Sequence, residues 1–182
     1  NMSNEEYHKK YGISSSAVKS VYKKSLAHWY GERRNASSPA FAMGNAVHAL
    51  LLEPDRDLVV KGPKTKASAA FKSMKENLTA DQVLLTEVEY NVANRIAKGA
   101  LANPICEKAL KHSERVNEIS IFQKDPVSQL MLKTRPDLMI ESENTVYDVK
   151  TTQDASPDGF ARECVKYGYF LQGAHYVMVC QL

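Results

Sequence analysis

Two carboxylates and one ammonium are the groups in this sequence whose spacing could do chemistry. Arg135-Pro136-Asp137 is followed, after ten intervening residues, by Asp148-Val149-Lys150. The runs Gln129–Ile140 and Thr145–Thr152 read as strands with turn-type residues between them. Strand side chains alternate, so Asp148 and Lys150 are expected on one face, with Tyr147 and Val149 on the other. A turn centred on Ser142-Glu143 sets an antiparallel register that pairs Asp137 with Asp148, their Cβ atoms about 5 Å apart. Leu138 and Ile140 then join Tyr147 and Val149 on an apolar face. Carboxylates this close repel unless something positive lies between them, and an oxygen pair suits a hard divalent cation such as Mg²⁺. A neighbouring lysine is what phosphodiester hydrolysis needs, because the metal can activate a water while the ammonium orients it or steadies developing charge. The same residues also make ordinary surface ion pairs, and spacing alone leaves both readings open.

The elements that must hold these groups are helices, then a strand meander, then helices. Ser14–Tyr30 places Val18, Val21, Tyr22, Leu26 and Trp29 at helical spacing behind a run of serines, a capped amphipathic helix. Ser38-Pro39 opens a second helix carrying Phe41, Val47, His48, Leu51 and Leu52, ending at Pro54. Leu58–Lys61 reads as a short strand and Lys64–Leu78 as a basic helix whose lysines face either solvent or DNA. Thr86 and Glu89 form a capping box for a helix to about Ala102, broken at Asn103-Pro104 and resuming to Leu110. Strands are expected at Glu118–Lys124 and in the two runs above, and helices from Ser156-Pro157 and over Phe170–Leu182. This order predicts an α+β fold, not repeated βαβ units.

Composition narrows the field. With 182 residues, 43% hydrophobic and 25% charged, the chain is expected to be one folded domain, with a helical region over residues 1–115 and a strand-helix core over residues 116–182. A formal charge of +3 is too small to imply a nucleic-acid partner by itself. Cys106, Cys164 and Cys180 are expected as reduced core thiols, and no Cys-x-x-Cys or His-x-x-x-His pair supports a zinc finger. No stretch is long and apolar enough for a membrane span, and the first residues lack a secretory pattern, so a cytoplasmic location is expected.

Arg-Pro-Asp, then Asp-Val-Lys-Thr-Thr on a hydrophobic strand, then Gln-Gly-Ala-His-Tyr on a helix, resembles the PD-(D/E)XK nuclease superfamily. The likeness is closest to the RecE-type phage and prophage exonucleases. It extends upstream to Gly12-Ile13-Ser14, to Gly44-Asn45-Ala46-Val47-His48 followed by Leu-Leu-Leu-Glu-Pro, and to Glu118 leading into Ile-Ser-Ile-Phe. The resemblance implies a restriction-endonuclease-like core with a mixed central sheet flanked by helices. It also implies that Asp137 and Asp148 are metal ligands, Lys150 the catalytic lysine, and the Val149 carbonyl and His48 further ligands. Glu118 is an accessory acid in that picture or an ordinary strand-leading glutamate.

Gln172 and Tyr176, four apart on one helix face, would lie beside the scissile strand. Ser14 and Ser16 sit at a helix N-terminus that could receive a phosphate, with plain capping as the other reading. Arg33, Arg34 and Arg135 are candidates for DNA-backbone contacts, with surface solubility the other reading for the first two and positioning of neighbouring groups for Arg135. The implied activity is Mg²⁺-dependent (Mn²⁺ substituting) 5′→3′ degradation of linear duplex DNA, leaving single-stranded tails for recombination in a bacterial or phage-infected cell. A homotrimeric or homotetrameric ring and a single-strand annealing protein as partner are implied with it. An endonuclease or resolvase on the same core, or a non-catalytic DNA-binding module, are the alternatives. Relatives continue past the Gln-x-x-x-Tyr helix, so the C-terminal portion of such a fold is expected to be short or absent here.

Overall fold

The computed structural model describes residues 2–31 and 39–181. Arg33 and Arg34, and Ser38 of the expected helix start, lie outside the described residues. In chain order the helices are α1 (Asn4–Lys9), α2 (Ser15–Lys23), α3 (Leu26–Gly31), α4 (Pro39–Leu52) and α5 (Ala69–Glu76). They continue with α6 (Glu87–Leu101), α7 (Pro104–Leu110), α8 (Pro157–Tyr167) and α9 (Tyr169–Cys180). The strands are β1 (Val59–Lys61), β2 (Val83–Leu85), β3 (Arg115–Asn117), β4 (Ile121–Lys124), β5 (Met131–Thr134), β6 (Leu138–Ile140) and β7 (Thr145–Tyr147). The fold is α+β, and none of its described helices is long and apolar enough to cross a membrane.

The chain divides into two compact units that interleave along the sequence. One comprises Asn1–Arg34, Val116–Asp148 and Thr152–Leu182; the other comprises Asn35–Arg115 with Val149–Thr151. The first helices therefore belong with the strand meander, not with the remainder of the expected helical region.

In the first unit, β4 pairs antiparallel with β5, and β3, β6 and β7 form a separate three-stranded sheet. The expected strand Gln129–Ile140 is thus two strands, one in each of these sheets. Pro136 is the reason: it carries no N–H to donate to a ladder and fixes its own φ, so pairing stops and the chain bends at Arg135-Pro136-Asp137. Past the bend, Leu138 pairs with Tyr147, Met139 with Val146 and Ile140 with Thr145, the register expected from the Ser142-Glu143 turn. Leu138 and Ile140 are fully buried, as the apolar face requires. The strand expected to Thr152 ends at Tyr147, because the same register sets Val149 opposite Pro136, which cannot donate. The alternation expected to align Asp148 with Lys150 therefore lacks a ladder to enforce it.

A buried lysine ties this unit together. Lys133 is 6% exposed, and its ammonium donates to the carbonyls of Tyr7 at 3.0 Å, His8 at 3.4 Å and Lys10 at 2.6 Å, at the C-terminal end of α1. A cation there satisfies carbonyls that the helix leaves open and faces the negative end of its dipole. The nitrogen also lies 4.9 Å from the Tyr7 ring centroid. Gly12 passes directly over the lysine stem with φ +151°, and a Cβ there would sit 3.0 Å from Lys133 Cγ. Ile13 then adds beside β5 in parallel, its N–H donating to Met131 at 2.8 Å and its carbonyl accepting from Lys133 N–H at 2.9 Å. On the other side, His175 Nε2 donates to the Lys133 carbonyl at 3.0 Å. Burial holds the His175 imidazole below its ordinary pKa, in the neutral form this donation uses.

The helix expected over Ser14–Tyr30 is two, α2 and α3, and its apolar stripe is only partly covered: Tyr22 and Leu26 are exposed. In the second unit, α4 packs on α6 and on the parallel pair β1–β2. Ala46 and Ala93, both 0% exposed, keep that core free of bulk where the helices are packed. Capping residues begin α5 at Ser68, α6 at Thr86 with Glu89, and α7 at Asn103. The basic helix expected over Lys64–Leu78 is confined to α5 by its Ser68 cap. Cys106, expected in the core, is exposed in the first turn of α7, whose burial is confined to Ala109 and Leu110 in the last turn.

Replacing Lys133 by Met keeps the stem but leaves three carbonyls without their donor. The expected loss is about 2–4 kcal/mol of unfolding free energy, read as a lower urea midpoint with an unchanged slope.

Candidate active site

Continuing the β6–β7 register by one residue sets Asp137 opposite Asp148, beyond the last laddered pair. The break at Pro136 frees Asp137 from strand pairing, yet its carbonyl accepts from Glu118 N–H at 3.0 Å and fixes the bend. Glu118 has φ +50°, an unusual conformation for a residue with a side chain. Its carboxylate meets Arg135 Nη2 at 3.0 Å.

The other face of the site is α9, anchored by Lys133 and packed on α2 and β5. Gln172 and Tyr176 share a helix face and both reach Asp148. Gln172 Nε2 donates to Asp148 Oδ1 at 2.8 Å and to the Tyr176 hydroxyl at 2.7 Å; that hydroxyl donates to the same Oδ1 at 2.9 Å. Lys19 Nζ donates to Gln172 Oε1 at 3.0 Å. A lysine only donates and a carboxylate only accepts, so the two partners together fix which way the amide points. Burial raises the Tyr176 phenol pKa far above its ordinary value, with the Asp148 charge next and Asp137 also contributing. The phenol is thereby kept protonated as a donor.

A polar cleft of about 210 Å³ opens in the first unit, lined by Ser14, Ser16, Glu118, Arg135, Asp137, Gln172 and Tyr176, among others. The structure thus brings seven of the sequence-predicted residues to one cavity, with Asp148 bonded to two of them. Ser14 caps α2 by accepting from Ala17 N–H at 3.4 Å. Arg135, expected to contact DNA, is committed within the fold: Nη1 donates to the Met2 carbonyl at 3.0 Å and to Ser120 Oγ at 2.7 Å. Its role here is to hold Glu118 and the N-terminal segment.

His48 and Val149 lie in the second unit. Gly44 and His48, four apart on α4, face the segment 149–151: Thr151 Oγ1 is 3.5 Å from where a Gly44 Cβ would stand. His48 Nε2 lies 2.8 Å from the Val149 carbonyl. A carbonyl can only accept, so that nitrogen carries the proton, and these two expected metal ligands are bonded to each other. Lys150 is half-buried in the same segment.

The donor chemistry fits a divalent cation in one respect and departs from the expected ligand set in another. Asp137 and Asp148 each follow the last laddered pair of β6 and β7 by one residue, and the charges of both act on the Tyr176 hydroxyl. Among the described residues, however, no three His, Cys, Asp or Glu side chains form a group that could hold a metal. Mg²⁺ commonly takes one or two carboxylates and completes its shell with water and substrate phosphate oxygens. Asp137 and Asp148 fit that manner of binding.

Lys19 is a site residue that the sequence reading missed, as it missed Asn4, Tyr7, His8 and Thr134 of the cleft lining. It follows Ser15 and Ser16 by four and three positions, so helical spacing alone puts it on the side of α2 bearing the serines. Nothing local announced its partner, which is 153 positions away.

The sequence matches the family model of a PDDEXK-like domain of unknown function (DUF3799) over residues 14–182. That match takes in nearly the whole chain, and the chain belongs to this PDDEXK-like family. Its fold is therefore of the nuclease type, the superfamily expected from the Arg-Pro-Asp and Asp-Val-Lys motifs. No curated protein matches the sequence.

Tyr176→Phe removes one of the donors to Asp148 Oδ1 and leaves the ring packed. Nuclease activity is expected to fall about 10- to 100-fold, the usual cost of losing a group that orients a neighbouring functional side chain. The same variant has a pH signature. The unfolded chain loses this proton near pH 10 and the folded chain only at higher pH. The phenol's contribution to stability is thus complete below about pH 10 and lost as pH rises through the folded value. Urea midpoints between about pH 9 and 11 should fall less steeply for the variant than for the parent chain.

Proposed function

We propose that this chain is a Mg²⁺-dependent exodeoxyribonuclease that degrades linear double-stranded DNA from 5′ ends, leaving single-stranded tails for recombination, with Mn²⁺ able to replace Mg²⁺. The observation that carries the reading is an α9 face that holds Asp148 Oδ1 with two donors, with Asp137 and Asp148 each one residue beyond the last laddered pair of β6 and β7, in a chain of PDDEXK-like type. A bound divalent cation would polarise the scissile phosphate and lower the pKa of the attacking water.

The protein's own groups do the rest. Gln172 and Tyr176 hold Oδ1 of Asp148 in place, and Asp137 and Asp148 would be the carboxylates that hold the cation. Lys150, two residues beyond Asp148, orients the water and steadies charge as the phosphate oxygen leaves. Glu118 lines the same cleft as Asp137 and serves as an accessory acid. Ser14 and Ser16, at the start of α2, receive a backbone phosphate through free N–H groups.

The RecE-type likeness extends the proposal to a homotrimer or homotetramer closed around its substrate, handing its product strand to a single-strand annealing protein in the cytoplasm. A ring supplies by topology the grip that a net charge of +3 does not.

Linear duplexes blocked at either the 5′ or the 3′ end, incubated with Mg²⁺, test polarity. Digestion is expected only where a 5′ end is free, and closed circles should survive. Attack from 3′ ends alone would overturn the polarity, and cleavage of circles would make the chain an endonuclease. Asp148→Asn or Lys150→Ala should abolish cleavage while retaining most duplex affinity, which rests on phosphate contacts elsewhere. Near-parental cleavage by Asp148→Asn would remove the proposed site.

A further inference from the structure

Away from the cleft, the first unit carries exposed rings interleaved with lysines where α2 crosses the α8–α9 corner. Lys19, Tyr22 and Lys23 stand at i, i+3 and i+4 on α2, so they share a face. That face lies over Gly168, which ends α8 and begins α9 in the left-handed region at φ +66°. A Cβ at Gly168 would contact Lys19 Cγ and Cδ and Lys23 Cε, each at 3.4 Å, so the glycine makes room for both lysine stems. Lys23 Nζ donates to the Lys166 carbonyl at the end of α8, and Lys19 to Gln172.

Around these stems the rings of Tyr167 and Tyr169 stack, centroids 5.8 Å apart and planes 25° from parallel. Phe170 meets Tyr22 edge-on at 6.3 Å. Lys166 Nζ is 5.1 Å from the centroid of Tyr167, and Lys19 Nζ 6.0 Å from that of Tyr169. Tyr22 is 68% exposed, Phe170 50% and Tyr167 44%.

We propose that this corner is a stacking platform for an unpaired DNA strand adjoining the Asp148 site, an inference that rests on the nuclease reading above. Flat rings open to solvent with ammonium groups between them match a single strand, whose base faces are free and whose phosphates are anionic. A duplex hides its base faces and cannot use the rings. A second copy seated face to face would set lysines against lysines. The platform is also continuous with the site: Lys19 stacks over Tyr169 and donates to Gln172, and Gln172 donates to Asp148. Burial, Glu163 and Tyr167 raise the pKa of the Tyr169 phenol, and the Asp148 charge adds to them.

The test uses the full chain in EDTA with a fluorescein-labelled oligo-dT of about 20 nucleotides, read by anisotropy. Tyr167→Ala and Phe170→Ala should each weaken oligo-dT binding about tenfold, with a much smaller change for a blunt duplex. Phe170→Leu keeps apolar bulk while removing the flat face, so its loss of oligo-dT affinity cannot be assigned to unfolding. Lys166→Gln should lower the slope of log affinity against log salt by about 0.7, one single-strand phosphate contact. Unchanged oligo-dT affinity in Phe170→Leu and Tyr167→Ala would overturn the platform. So would conversion of an oligomer to a monomer by light scattering with oligo-dT affinity intact, which would make the corner an interface between copies. The two readings fail separately. Loss of oligo-dT binding in the variants of a chain that cleaves nothing in Mg²⁺ sustains the platform alone, and cleavage with unchanged oligo-dT affinity sustains the nuclease alone.

Discussion

The first unit is organised around one buried ammonium. Lys133 closes the end of α1 with its side chain, receives the Gly12-Ile13 segment with its backbone N–H, and accepts from α9 through its carbonyl. An ammonium in a dry interior is costly unless every hydrogen finds an acceptor. Three carbonyls and a ring face meet that requirement here, and they come from a segment far away in sequence. The charge thus dictates where the N-terminal helix must end, and with it where α2 begins.

From that anchor the site follows by short steps. Ile13 aligned on β5 delivers Ser14 to the start of α2, and α2 brings Lys19 to Gln172. His175 on α9 holds the far side of the same strand, and its helix neighbours Gln172 and Tyr176 turn toward Asp148. One residue beyond Lys133 and Thr134, the chain leaves β5, bends at Pro136 and enters a second sheet with Asp137 at the crease. Arg135 locks the crease from behind through Glu118 and Ser120. The Glu118 N–H on the Asp137 carbonyl limits how far that residue can move at the bend.

What could be read from the sequence was what local chemistry decides. The β6–β7 pairing followed from turn residues and alternation; the starts of α2, α6, α7 and α8 followed from a serine, a capping box, an Asn-Pro and a Ser-Pro. The interruption at Pro136 was equally local, yet the apolar run on both sides of it outweighed the proline in the reading. α1 went unread although Ser3 and Glu6 form a capping box, because its six residues bury Tyr7 alone. Lys19 and Lys133 were illegible for a different reason. Each is an ordinary surface-type residue whose meaning lies in a partner more than a hundred positions away, and no periodicity encodes that.

Those distances bear on how the chain reaches this arrangement. Contacts joining Met2 to Arg135, Tyr7 to Lys133 and Lys19 to Gln172 close loops of 133, 126 and 153 residues. The segment carrying α1 and α2 is therefore among the last parts of the first unit to find its place, since nothing before β5 and α9 can receive it. Until then α2 and α3 trail as short helices with aromatic and aliphatic side chains in water, in a chain whose other compact unit draws its contacts almost entirely from 35–115 and can close first. Long closures slow the final step and prolong the exposure of sticky surface. Folding of these residues should thus pass through a stage in which one unit is closed and its counterpart, flanking it in sequence on both sides, still lacks α9 in place.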